Sequence, residues 1–168
     1  MRFAPAAAAL SLALAMTASV GWSQQRDPAP RAGSLIAEGQ AALKSGDTQG
    51  AIDAYEAALA IDPGYTPIFI HLAEAARADE LQGKAIRYYR EAIEREPRNL
   101  AAIAGEGEAL AEKGALEKAR LSLAKVKSLC GESCPETRKL AAAIAAGPHK
   151  AVKTAEANVP ETKSPQSN

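Results

Sequence analysis

The sequence predicts an all-α chain made of stacked helical hairpins. Three observations carry that prediction. From residue 34 to 146 the apolar positions keep helical spacing, broken at short intervals by Gly or Pro. Ala is abundant and aromatics are scarce, which favours helices packed closely through small side chains. The third observation is a recurrence at fixed offset. The stretch GAIDAYEAALAIDP (50–63) is echoed by KAIRYYREAIEREP (84–97). Ala51, Ala85 and Ala119 stand 34 residues apart, as do Tyr55, Tyr89 and Leu123, and Ala58, Ala92 and Val126. Pro63, Pro97 and Gly131 keep the same step, and so do Gly39, Ala73 and Gly107.

The elements follow in chain order. Arg2 precedes an apolar, Ala- and Leu-rich run from Phe3 to Val20. Small residues come next, and Gly21-Trp22-Ser23 fits a small-x-small cleavage site, with Thr17-Ala18-Ser19 as a competitor. Residues 1–23 therefore read as a signal peptide, and an uncleaved anchor is the alternative. Residues 24–32, with Pro28 and Pro30, read as an extended linker. Six helices are expected over 34–45, 48–61, 66–79, 82–95, 100–113 and 116–129, and a seventh over 134–146. Ser133 and Glu136 have the spacing of a capping box at the start of the seventh. Residues 147–168 are polar, carry Pro and Lys, and read as a disordered tail.

A period of 34 residues built from helix pairs resembles the tetratricopeptide repeat (TPR) family over residues 32–133. The resemblance implies a right-handed superhelix of about three hairpins, at 32–65, 66–99 and 100–133. The helix at 134–146 would cap the exposed apolar end through Leu140 and Ile144. Gly39, Ala73 and Gly107 would face Ala51, Ala85 and Ala119 where the two helices of a hairpin close on each other. Tyr55 and Tyr89 would fill the space between hairpins. Several residues depart from the pattern. Glu38 and Glu106 stand where the family usually has a large apolar residue, and Glu80 replaces the turn glycine seen at Gly46 and Gly114. Gly105 and Gly107 each lower helix propensity by about 1 kcal/mol relative to Ala.

Charge and cysteine content narrow the function classes. With 20 basic and 20 acidic side chains there is no electrostatic case for nucleic acid. Cys130 and Cys134, in CGESC, read as a disulfide of an exported protein. Metal binding would need more Cys or His ligands than His71 and His149 supply, and a redox pair would more usually be spaced CxxC. No nucleophile–base pair appears at a motif spacing, so no catalytic residue, cofactor or metal is assigned, and an enzyme is not expected. Arg87, Arg90, Glu91, Glu94 and Arg95 read as a solvated helix face with i,i+4 pairs. Tyr88 could be an exposed contact or plain surface.

The family resemblance implies a concave groove lined by the first helix of each hairpin. The matching positions are Ile36, Gln40, Leu43 and Lys44, then Ile70, Glu74, Arg77 and Ala78, then Ala104, Glu108, Ala111 and Glu112. Each alone could be an ordinary solvated helix position. As a set they define the best candidate for holding a peptide or helix of a partner protein. A clamp for C-terminal carboxylates is discounted, because only Lys44 and Arg77 supply cations on that face. The expected role is a protein–protein interaction module of the bacterial cell envelope, periplasmic or secreted, without stable membrane insertion after cleavage. The alternative is a structural TPR protein that self-associates into a homo-oligomer without a peptide ligand.

Overall fold

The computed structural model describes residues 26–148. The expected signal peptide and almost all of the expected tail lie outside that range. Among the described residues seven helices form: α1 (Pro30–Lys44), α2 (Thr48–Ile61), α3 (Pro67–Ala78), α4 (Gln82–Arg95), α5 (Leu100–Glu112), α6 (Leu116–Cys130) and α7 (Pro135–Ala146). They pair as hairpins α1–α2, α3–α4 and α5–α6, and α7 packs on both α5 and α6. Among the described residues there is no strand, and no helix is long and apolar enough to cross a membrane.

The entry into the fold differs from expectation. Helix α1 starts at Pro30, inside the stretch expected to be a linker. Pro suits the first helical turn, where its missing N–H has no partner to lose. The Asp62 carboxylate, at the end of α2, accepts from the Ala29 backbone N–H at 2.9 Å and from Arg26 at 2.6 Å. The Arg26 hydrogen bond chiefly holds the Asp62 pKa below its ordinary value. Ala32 is fully buried as a result.

Small residues set the helix spacing as the register requires. A Cβ on Gly39 would collide with the Tyr55 ring, and one on Gly107 would lie 2.8 Å from Leu140 and 2.9 Å from Ser122. Ala51, Ala85 and Ala119 are fully buried. The turns also follow the register. Gly46 and Gly114 both have φ near 85°, and Glu80, in the same place, adopts φ 58°. A side chain there costs roughly 1–2 kcal/mol.

Three apolar groups run through the stack. Ile36, Ile52, Tyr55, Ile68 and Leu72 form the first. Phe69, Ile86, Tyr89 and Leu110 anchor the second, and Ile103, Val126 and Leu140 the third. Leu140 is buried and Ile144 packs beside it, so α7 seals the last hairpin as expected. The capping box does not form. Cys134 is the N-cap and makes no side-chain cap, because Pro135 takes the first helical position. The Thr137 hydroxyl instead donates to the Gly131 carbonyl at 2.8 Å and ties the turn to α7.

The charged face of α4 is also wired differently. Arg90 reaches Glu106 of the next hairpin at 2.8 Å. Arg95 donates to the Pro63 carbonyl at 2.9 Å and lies 4.3 Å above the Phe69 ring centre. Tyr88 is half-buried and donates to Glu56 at 3.2 Å. These contacts join hairpins rather than successive turns of α4. They also account for Glu106, whose departure from the family pattern supplies the partner of Arg90.

Candidate functional site

The groove positions do not share one environment. Ile36 is buried in the first apolar group, with Ile52 and Tyr55 of α2 and Ile68 and Leu72 of α3, and not on an open face. Ala104 and Ala111 are buried as well. Ile70 and Leu43 are half-buried; Gln40, Lys44 and Glu74 are exposed.

The third-repeat acids are occupied internally. Arg77 donates to Glu108 at 2.8 Å and grips both oxygens of Glu112, with the Nε contact at 3.1 Å. Lys139 of α7 reaches the same Glu108 oxygen at 3.2 Å. Glu108 is only 2% exposed, so its charge depends on these two cations. The Tyr89 hydroxyl lies beside the guanidinium. Burial pulls the Arg77 pKa down, but Glu112 and Tyr89 more than compensate, and the net shift is upward. Burial pushes the Tyr89 phenol up to about 12, against the pull of Arg77.

What stays open is the first half of the groove. Gln40, Leu43, Lys44, Tyr55, His71 and Glu74 line a cleft of about 220 Å³ between the first two hairpins. Its floor is a stack of Tyr55 on His71, with ring centres 5.3 Å apart and planes 19° from parallel. His71 Nδ1 stands 3.6 Å from the Glu74 carboxylate. Burial raises the Tyr55 phenol pKa, and Glu74 adds to the shift. Neither His71 nor Tyr55 is among the groove positions that the family register implies. The signal was present: His71 holds the register position of Gly105, so a ring there must cover the neighbouring Tyr.

A larger hollow of about 740 Å³ lies at the loop edge, lined by Tyr65, Thr66, Pro67, Pro97, Arg98 and Leu100 among others. The polar groups beside it have local work. Asp62 holds Arg26 and Ala29, and the Asn99 side chain caps α5 through the Ala102 N–H at 3.0 Å.

At the α6–α7 joint the sulfurs of Cys130 and Cys134 are brought together, with their Cα atoms 6.0 Å apart. Thr137, buried beside them, lies 3.2 Å from the Cys134 sulfur.

Comparison with known proteins agrees with this architecture. The tetratricopeptide repeat model matches residues 32–65. No curated protein matches the sequence. Among solved structures, the Sgt2 TPR domain from Aspergillus fumigatus is similar, with 26% identity and a TM-score of 0.64 over 69% of this chain and 78% of that one. The first TPR of Spaghetti (RPAP3), bound to the HSP90 peptide SRMEEVD, is 23% identical with a TM-score of 0.61, over 73% of this chain and 98% of that one. The Yersinia enterocolitica type III secretion chaperone SycD, in complex with a peptide of the translocator YopD, is 19% identical with a TM-score of 0.60, over 68% and 89%. The first hairpin thus carries the tetratricopeptide repeat in sequence, and the three hairpins are similar in fold to TPR domains.

Proposed function

We propose that this chain is a protein-interaction module that holds a peptide or helix of a partner protein in its concave groove. The observation that carries the reading is the open cleft over Tyr55 and His71, where a buried aromatic floor is ringed by half-buried Leu43 and exposed polar groups. Concavities that combine apolar floor with a few polar groups are where ligands dock. Similar folds have been solved with peptides bound, including an HSP90 peptide and a peptide of a translocator. In this chain the contact surface narrows to the first two hairpins, because Arg77, Glu108, Glu112 and Lys139 consume one another further along.

The proposed setting is the bacterial cell envelope, after removal of residues 1–23. Arg2, the apolar run 3–20 and Gly21-Trp22-Ser23 support export. A Cys130–Cys134 disulfide fits that compartment and the meeting of the two sulfurs. The mass of protein recovered from the periplasm tests both parts: a species beginning at Met1, or one alkylated at both cysteines without reductant, overturns the corresponding statement.

Selection of displayed peptides on the full chain, with binding mapped by NMR, tests the groove. Resonance changes at Leu43, Lys44, His71 and Glu74 are expected. Changes confined to the opposite, α2–α4–α6 side would overturn the reading. Light scattering across a concentration series addresses self-association, which demands a mass that grows with concentration.

A further inference from the structure

The 34-residue register allows the two junctions between hairpins to be superposed residue by residue. At the second junction the Tyr89 hydroxyl meets the Arg77 guanidinium, and Arg77 in turn holds Glu108. At the first junction the same three positions are Tyr55, Leu43 and Glu74. The tyrosine and the carboxylate are retained, but the arginine is not. Leu43 has no group to offer either of them.

The consequences are visible on both partners. Tyr55 is 1% exposed, like Tyr89. It borders the 220 Å³ cleft. Glu74 stands exposed at the rim, where its one ion-pair contact among the described residues is His71, whereas Glu108 is buried under two cations. The edge of a nearly buried phenol ring and an exposed carboxylate therefore face one cavity.

We infer that this cleft receives an arginine side chain of the bound partner, which takes at the first junction the place that Arg77 takes at the second. The inference rests on the groove reading above and names the chemistry of its ligand. A guanidinium is planar and rich in donors, so one group can reach the phenol and the carboxylate together. It also stacks on aromatic faces, and the His71–Tyr55 floor supplies one where the second junction has only Gly105. Lys44 borders the cleft too, but its ammonium is on an exposed residue and stays in water. Its effect is to direct the incoming charge towards the Glu74 side.

Short alanine-based helical peptides test this on the full chain. One carries a single central arginine; others carry citrulline, lysine or glutamate in its place. The arginine peptide should shift the Tyr55 and His71 ring resonances and bind about tenfold more tightly than the citrulline or glutamate peptide, the difference expected of a charge-assisted contact. Glu74→Gln, at an exposed site, should reduce the arginine peptide to the citrulline level. Leu43→Arg should fill the cleft from within and abolish the preference while the helical signal is retained. Equal binding of citrulline or glutamate, or an arginine preference that survives both substitutions, overturns the inference. If peptides map to the groove without favouring arginine, this assignment falls and the groove reading stands. If neither these peptides nor displayed ones move a groove resonance, both fall.

Discussion

The two junctions between hairpins use the same tyrosine in different ways. Tyr55 is packed between Gly39 and the face of His71; Tyr89 is packed against Gly105, with its hydroxyl beside Arg77. The first junction keeps a ring where the second keeps a bare backbone, and the second keeps an arginine where the first keeps a leucine. One junction therefore pairs its carboxylate internally, and the other leaves its carboxylate exposed at the rim. A repeat protein can thus assign cohesion and recognition to different copies of one unit by changing two positions per copy.

The largest effect should come from making the second junction resemble the first. Arg77→Leu leaves buried Glu108 with Lys139 alone and removes the partner of Glu112. Breaking a buried pair from one side typically costs about 3–5 kcal/mol. Denaturant midpoints should show a loss in that range, against little change for Glu74→Gln at the first junction. Similar midpoints for the two would end the distinction.

Alkaline titration sharpens the same contrast. The Tyr89 phenol, buried in the folded state, titrates near 12, against 10.0 for the ordinary group. Below pH 10 both folded and unfolded chains hold the proton, and the contribution is complete. Above pH 10 the unfolded chain releases it first, so stability falls by about 2–3 kcal/mol as pH rises to 12. Tyr89→Phe should remove most of that fall, and Tyr55→Phe less of it. Unfolding curves between pH 9 and 12 decide the matter.

Gly105→Ala comes next. The added methyl would collide with the Tyr89 ring, and overpacking of about 1–3 kcal/mol outweighs a propensity gain of about 1. Thermal denaturation should show a net loss of up to about 2 kcal/mol. Gly83→Ala is the control, since the nearest atom to its Cβ is the Lys113 amine at 3.7 Å; that change should stabilise slightly.

The smallest effect belongs to the turns. Glu80→Gly relieves a left-handed side chain that Gly46 and Gly114 avoid, and should stabilise by about 1 kcal/mol. A loss on that change would mean that Glu80 makes a contact worth more than its backbone strain.

The fold was legible because small residues recur where helices touch, and a period of 34 survives heavy substitution elsewhere. Gly39, Ala85 and Leu140 could each be placed from sequence alone. The groove was legible in register but not in exposure. Register says which way Ile36 points along its helix; it does not say that the side chain joins the apolar group of α2 and α3. The pairing of Arg77 with Glu108 and Glu112 joins residues 31 and 35 apart on different hairpins, beyond any local pattern. Gly105 misled for a related reason. In sequence it is a weak helical residue; in the fold it is the surface on which Tyr89 rests.

The link from Asp62 to Arg26 and Ala29 has a mechanical consequence. A load applied ahead of Arg26 meets this bond before it reaches the body of α1. Without it, tension would lift α1 from its first turn and break contacts one at a time. With it, the pull is shared with the end of α2, and contacts across the first hairpin must yield together. Cooperative rupture needs more force than peeling. The first hairpin is thereby the anchored end of the solenoid, and Asp62→Ala should convert a single rupture under an optical trap into a stepwise one.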